Sequence, residues 1–95
     1  MNLKTCERRV LKMTRVVLNV CYGGFGLSEE AERLYEQLSG KSFSRYLPRD
    51  DPVLITVVQE LGERASDNYS NLHIVHVPDH TEWTIKECDG KEWIE

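Results

Sequence analysis

The 95-residue chain is predicted to fold as a small α+β domain, with a mainly antiparallel sheet of three or four strands and two helices on one face. Two observations carry this prediction. Apolar residues recur at helical spacing in two segments, and they alternate or run together in several shorter ones. These segments follow in the order β-α-α-β-β, with a further short strand as an option at the end, which suits a sheet covered by helices.

The first strand is predicted over residues 15–21, where apolar and β-branched residues occupy both faces, as in a buried central strand. A glycine-rich loop follows it, with the sequence Tyr22-Gly23-Gly24-Phe25-Gly26. Because glycine adopts positive φ without strain, we interpret this loop first as a tight turn in which the two rings pack. The alternative is a binding loop formed by Tyr22, Gly23, Gly24 and Phe25.

Both helices have clear start signals. Ser28 precedes the first helix, predicted over residues 29–39, and Gly40 follows it; both are residue types that cap helix ends. The Asp51-Pro52 pair opens the second helix, which is predicted to run to about residue 66. The faces expected to be buried consist of Ala31, Leu34, Tyr35 and Leu38 in the first helix and of Leu54, Ile55, Val58, Leu61 and Ala65 in the second.

The remaining part of the chain is predicted to be β-structure. Residues 72–77 are largely apolar, and residues 83–87 alternate apolar with polar side chains, which indicates one solvent-exposed face. Asp89-Gly90 is typical of a two-residue hairpin turn. Residues 91–94 are therefore expected to fold back as the short fourth strand.

Charge is distributed unevenly along the chain, whose formal net charge is -4. Residues 1–15 hold five basic side chains and one acidic one, so the remaining 80 residues carry 15 acids and 7 bases, a net charge of -8. Such a body repels a nucleic-acid backbone, and we expect no direct nucleic-acid binding. Residues 1–13 are expected to be a mobile basic extension and residues 14–95 a single domain.

Several classes of function are disfavoured. No apolar run approaches the ~18 residues of a membrane span, and residues 1–12 lack the apolar stretch of a secretory signal, so a cytoplasmic protein without membrane contact is expected. His73 and His76 point to opposite faces of a strand, so together with His80 they are not expected to bind a metal. No nucleophile has an activating partner near it in sequence, and we expect neither catalysis nor a cofactor.

The glycine-rich loop does not favour a phosphate site. Glu29 and Glu30 occupy the first turn of the helix that follows it, where an anion would otherwise bind. Two carboxylates at that helix end would repel a phosphate.

A cluster of charged residues before the second helix has two interpretations. It consists of Arg45, Arg49, Asp50 and Asp51. In the first interpretation Asp51 caps the helix and its neighbours form ion pairs. In the second, Arg45 and Arg49 form a fork that holds a phosphate or a carboxylate of a ligand or partner.

Four motifs stand in order along the chain: residues 21–28 (CYGGFGLS), 49–52 (RDDP), 72–79 (LHIVHVPD) and 83–92 (WTIKECDGKE). Together they resemble a family of small proteins of bacteriophages, prophages and some large DNA viruses. The resemblance covers about residues 14–95 and implies a viral origin, but no particular reaction. Relatives lack the extension before Met13 and continue past the position of Glu95 with a short basic and aromatic tail.

From this resemblance we expect a virus-encoded, non-enzymatic accessory protein that binds a host protein in the cytoplasm of the infected cell and inhibits a defence system. Its acidic surface would mimic nucleic acid and occupy a basic groove of that host protein. The alternative is a small-molecule binder that sequesters a nucleotide signal. Tyr22 and Phe25 would then stack on the base, Arg45 and Arg49 would hold phosphates, and a second subunit of a homodimer would complete the pocket.

Overall fold

The computed structural model describes residues 13–79 and 82–95, and it confirms the α+β class and the predicted order of elements. The strands are β1 (Met13–Asn19), β2 (Leu72–Pro78), β3 (Ile85–Cys88) and β4 (Lys91–Ile94); the helices are α1 (Glu29–Ser39) and α2 (Pro52–Leu61), with a 3-10 helix (Gly62–Ala65) after α2. The predicted basic extension lies outside the described residues, apart from Met13, which begins β1. No helix in the described part of the chain has the length and apolar character needed to cross a membrane.

β1 is buried at the centre of the fold, as its apolar sequence predicts. It pairs antiparallel with β2 along its whole length, and Met13 lies opposite Pro78 at one end. Val16 and Leu18 belong to the apolar cluster on one side of this sheet, whereas Val17 belongs to the cluster on the other side. The helices cover one face and the β3–β4 hairpin covers the other, so the fold has three layers.

The four strands form two two-stranded sheets, β1–β2 and β3–β4, where the sequence predicts one sheet of three or four strands. Asp89 and Gly90 both have positive φ and turn β3 into β4, as this residue pair predicts. A side chain joins β4 to β1, because the backbone N–H of Asn19 donates to Oε1 of Glu92 at 2.8 Å. A carboxylate thus takes the position of a strand carbonyl, and the hairpin packs against β1 without extending its ladder.

The bounds of α1 agree with the prediction because both of its caps form. Oγ of Ser28 accepts the N–H of Ala31 at 3.1 Å, and the N–H of Gly40 donates to the carbonyl of Glu36 at 2.9 Å. Half of the surface of Leu38 is exposed, at 51%, so the buried stripe of α1 is narrower than predicted.

The second helix is shorter than the sequence predicts. α2 ends at Leu61, and the segment that follows it is a 3-10 helix. Gly62 adopts a φ of 57°, which interrupts the α-helical backbone. The apolar spacing continues to Ala65, which is buried, and this continuity is why the pattern predicts a longer helix.

Candidate functional site

An ion pair between Arg49 and Glu92 lies at the centre of the candidate site. Nη1 and Nη2 of Arg49 donate to Oε1 and Oε2 of Glu92 at 2.6 and 2.7 Å, and only 16% and 7% of the two side chains are exposed. This two-bond geometry is the one that gives an arginine and a carboxylate their strongest contact. The residues are 43 positions apart, so the pair fastens the segment before α2 to β4.

Phe25 packs against this ion pair. The guanidinium carbon of Arg49 lies 3.7 Å from the centre of the Phe25 ring, which is a cation–π contact. Phe25 is buried and its ring also neighbours Phe43. One face of the ring that the sequence offers for stacking on a nucleotide base is therefore covered by Arg49.

Asn19 is fully buried and joins three loops. Its Nδ2 donates to the carbonyls of Cys21 and Gly90 at 2.8 and 2.7 Å, and its Oδ1 accepts the N–H of Asn71 at 2.8 Å. Both donors of the amide are used, so this one side chain sets the spacing of the three loops. They are the glycine-rich loop (residues 21–26), the loop before β2 (residues 67–71) and the β3–β4 turn (residues 89–90).

Two glycines allow these loops to approach one another. A Cβ atom at Gly23 would collide with the carbonyl oxygen of Tyr69, and one at Gly90 would collide with the backbone of Gly23 and Gly24. Gly23 and Gly90 also have positive φ, at 146° and 91°. The glycine-rich loop is thus a turn held tightly between two neighbouring loops.

Replacing Gly23 with alanine is expected to lower the free energy of unfolding by about 1–3 kcal/mol, because it adds both backbone strain and the collision with Tyr69. Gly24→Ala is a matched control, since Gly24 also has positive φ but no atom lies within 4 Å of its added Cβ. Urea denaturation of both variants measures the difference. Equal losses of stability would contradict the close approach of the loops.

A cleft of about 350 Å³ opens between these loops and the segment before α2. Its most buried lining residues are Phe25, Arg49 and Glu92. Tyr46 and Tyr69 also line the cleft, with 88% and 72% of their surfaces exposed. Tyr22, 66% exposed, directly precedes the lining residue Gly23. We call this cavity the tyrosine cleft and the side chains of Tyr22, Tyr46 and Tyr69 its rim.

The charges that line the tyrosine cleft nearly cancel. Arg49 and Glu92 neutralise each other, which leaves Arg45 against Asp67 and Glu87. Each of these two carboxylates accepts a backbone N–H from the segment next to it. The acids therefore also support the loops that form the walls.

Most of the sequence-predicted binding residues line the tyrosine cleft: Gly23, Gly24, Phe25, Arg45 and Arg49. Tyr22 lies at its rim. Asp50 and Asp51 are not brought to it. Oδ2 of Asp51 accepts the N–H of Leu54 at 3.0 Å as the N-cap of α2, and Asp50 borders a separate depression beside Pro52.

The two arginines of the predicted fork both line the tyrosine cleft, but one of them is paired within the chain. Glu92 engages both terminal nitrogens of Arg49, so the guanidinium that the sequence offers to a phosphate is already paired. Arg45 is exposed and lines the same cleft.

Asp51→Ala is expected to lower the free energy of unfolding by about 1 kcal/mol through loss of the helix cap. Because Asp51 lies away from the tyrosine cleft, the variant should bind any ligand of the cleft as the wild type does. Chemical denaturation measures the first effect, and a binding titration measures the second. A variant of unchanged stability that bound its ligand less well would place Asp51 in the site instead.

The sequence interpretation missed seven residues of the site: Asn19, which joins the loops, and the lining residues Tyr46, Asp67, Tyr69, Glu87, Gly90 and Glu92. Asn19 did leave a signal, since it is a polar residue inside the apolar run of residues 16–20. A buried amide of this kind must have hydrogen-bond partners, and they could have been sought among the loops. Glu92 left none, because a glutamate in a short hairpin strand is expected to face solvent.

Neither a metal centre nor a known relative provides a second route to function. Residues 13–79 and 82–95 contain no group of three or more histidine, cysteine, aspartate or glutamate side chains placed to hold a metal ion. Comparison of the chain with protein-family models, with curated proteins and with solved structures found no match. Function is therefore inferred from the tyrosine cleft itself.

Proposed function

We propose that this chain is a non-enzymatic binding protein that engages a partner protein through the tyrosine cleft. One observation carries the proposal: exposed tyrosines from two separate segments, Tyr46 and Tyr69, line one cleft, and a third, Tyr22, directly precedes its lining residue Gly23. Tyrosine offers a large contact area with little conformational freedom to lose, and it is enriched at the energetically important positions of protein interfaces. A group of three is a typical recognition surface.

The base of the cleft is rigid, which favours tight binding. The Arg49–Glu92 pair and the hydrogen bonds of Asn19 tie the loops together before a partner arrives. A surface that is already ordered loses less entropy on binding than one that must be ordered by its partner.

The buried charges support binding rather than catalysis. Arg49 and Glu92, the charged residues most enclosed by the cleft, donate to and accept from each other. A catalytic acid, base or electrophile must instead be free to contact the substrate. Their role here is to hold the base of the cleft in place.

The partner we propose is a host protein, and the protein acts in the cytoplasm of a virus-infected cell to inhibit a defence system. The resemblance of the four motifs to viral proteins supports this proposal. So does the charge of residues 16–95, which at -8 suits a partner with a basic groove that normally holds nucleic acid.

The proposal is tested by affinity capture from a host-cell lysate with three versions of the chain. Wild type and Leu38→Ala, which removes an exposed apolar side chain from α1, should retain the same specific protein. The double variant Tyr46→Ala, Tyr69→Ala should bind that protein at least about tenfold more weakly, because interface tyrosines commonly contribute more than ~1 kcal/mol each. Failure of the wild type to retain a specific protein, or equal retention by the double variant, would contradict the proposal.

A second candidate is a nucleotide binder, which the size of the cleft favours. About 350 Å³ lies within the range of ~300–1,000 Å³ that is usual for small-molecule pockets. Tyr46 or Tyr69 would stack on the base, and Arg45 would hold the phosphate in place of the paired Arg49. Calorimetry against a panel of cyclic nucleotides tests this, with Arg45→Ala as the variant expected to lose binding. The absence of heat with every member would exclude it.

A further inference from the structure

β1 and β2 each have an outer edge, on the side that faces away from the other strand. The rest of the described chain forms hydrogen bonds with the outer edge of β1 but leaves most of the outer edge of β2 open. On β1 the N–H of Val17 donates to the carbonyl of Arg49 at 2.9 Å, and the N–H of Asn19 donates to Glu92. Nη1 of Arg49 also approaches the carbonyl of Val17. Arg49 and Glu92 together therefore cover the outer edge of β1.

The same bonds identify which backbone groups of β2 point outward. Because the N–H groups of Val17 and Asn19 point away from β2, their partners in the register, Ile74 and Leu72, must point away from β1. The N–H of Leu72 confirms this, since it donates to Oγ of Ser66 at 2.9 Å. His76, two residues after Ile74, has the same outward direction.

The outer edge of β2 is open between Leu72 and Pro78. Within residues 13–79 and 82–95, the N–H groups of Ile74 and His76 have no hydrogen-bond acceptor. Leu72 is already bonded at one end, and Pro78 has no N–H at the other. Strand edges exposed to solvent are usually protected by lysine, by another charged side chain or by a bulge. β2 has no lysine, arginine, aspartate or glutamate along its whole length.

We propose that β2 pairs antiparallel with β2 of a second copy of this chain, so that a four-stranded sheet β1-β2-β2-β1 runs through a symmetric dimer. With the two-fold axis at Val75, Ile74 of each copy lies opposite His76 of the other. Every open N–H and C=O of these two residues then finds a partner. A strand without lysine, arginine, aspartate or glutamate is suited to lie beside its own copy, because none of these charged side chains opposes its own counterpart across the pair.

A second feature of the structure supports a second copy of the chain as the partner of β2. An apolar groove of about 530 Å³ lies beside β2, between the two sheets, and Val75, Trp83 and Trp93 are among its lining residues. Val75 faces this groove and would contact its counterpart at the two-fold axis. The second copy would thus extend the apolar layer of Val16, Leu18 and Val77 across the interface. This interface lies on a different part of the chain from the tyrosine cleft and does not depend on the proposed function.

Sedimentation equilibrium of the full chain tests the proposal with two substitutions at one position. Wild type should show twice the 11.0-kDa mass of the chain as concentration rises. His76→Ala keeps the outward N–H and should dimerise as wild type does. His76→Pro removes that N–H without touching the β1–β2 ladder, and proline is tolerated on edge strands. It should raise the dissociation constant of the dimer by at least about tenfold.

Two results would overturn the proposal. One is a wild-type chain that stays monomeric at every concentration, which would leave the β2 edge to a different occupant or to none. The other is a His76→Pro chain that dimerises as well as the His76→Ala chain, which would place the interface elsewhere. If circular dichroism shows that His76→Pro is unfolded, His76→Lys takes its place, since it adds a charge to an exposed edge position and should also weaken the dimer.

Discussion

Glu92→Ala is expected to lower the free energy of unfolding by about 2–4 kcal/mol, because it leaves the guanidinium of Arg49, only 16% exposed, without its carboxylate. The N–H of Asn19 loses its acceptor in the same variant. Since a domain of this kind is stabilised by only about 5–15 kcal/mol in total, Glu92→Ala should remove a large fraction of its stability. Chemical denaturation followed by circular dichroism measures the loss.

Two further variants distinguish the effect of breaking this ion pair from the effect of removing any charged side chain. Glu29→Ala removes a carboxylate whose contact with Arg33 is fully solvent-exposed, and it should change stability by no more than about 0.5 kcal/mol. The double variant Arg49→Met, Glu92→Leu should recover part of the loss, because no unpaired charge remains buried. A loss from Glu92→Ala as small as that from Glu29→Ala would contradict the central position of the ion pair.

Asn19→Asp is the second substitution with a large expected effect, although it hardly changes the shape of the side chain. A carboxylate cannot donate the two hydrogen bonds that hold the carbonyls of Cys21 and Gly90, and it would stand near Glu92. Each buried group left without a partner costs about 1–3 kcal/mol, so the total loss of stability should reach about 3 kcal/mol or more.

The matched control for this variant is Asn68→Asp, because Asn68 is exposed in one of the loops that Asn19 joins. It should change stability by less than about 0.5 kcal/mol. Amide hydrogen exchange of Gly23 adds a local measurement, because its N–H donates to the carbonyl of Asp89 between two of the loops that Asn19 joins. Exchange at Gly23 should accelerate in Asn19→Asp and stay unchanged in Asn68→Asp. Similar stability of the two variants would contradict the role of Asn19 in joining the loops.

Local chemistry explains why the elements of this fold could be predicted from the sequence. Ser28, Gly40 and Asp51 act on helix ends within a few residues of themselves, and Asp89-Gly90 forms its turn without help from distant segments. Such signals are contained in short stretches of sequence. The order of strands and helices follows from them directly.

Long-range contacts explain why half of the tyrosine cleft could not be predicted. Glu92 meets Arg49 across 43 residues and Gly90 meets Asn19 across 71. No local pattern marks a glutamate in an exposed hairpin strand as the partner of a buried arginine. The fork of Arg45 and Arg49 is an alternative in the sequence for this reason, since neither arginine has a visible partner until β4 is in place.

Long-range contacts also explain why the division into two sheets could not be predicted from the sequence. The sequence shows that β1 needs apolar cover on both faces, but it does not show which segment provides the cover. Oε1 of Glu92 occupies the position at β1 that a further strand would otherwise use. Together with the carbonyl of Arg49, which accepts the N–H of Val17, this side chain covers the edge of β1, so the β3–β4 hairpin packs against β1 without joining its ladder.

Site-specific photo-crosslinking in cells of the proposed host tests the central claim, recognition through the rim of the tyrosine cleft, most directly. A photoreactive phenylalanine analogue replaces Tyr22, Tyr46 or Tyr69 one at a time, and replaces Leu38 on α1 as the control. The account predicts one crosslinked product, containing the same host protein, from each of the three rim positions and none from position 38. Crosslinking from position 38 alone, or from all four positions without preference, would contradict it.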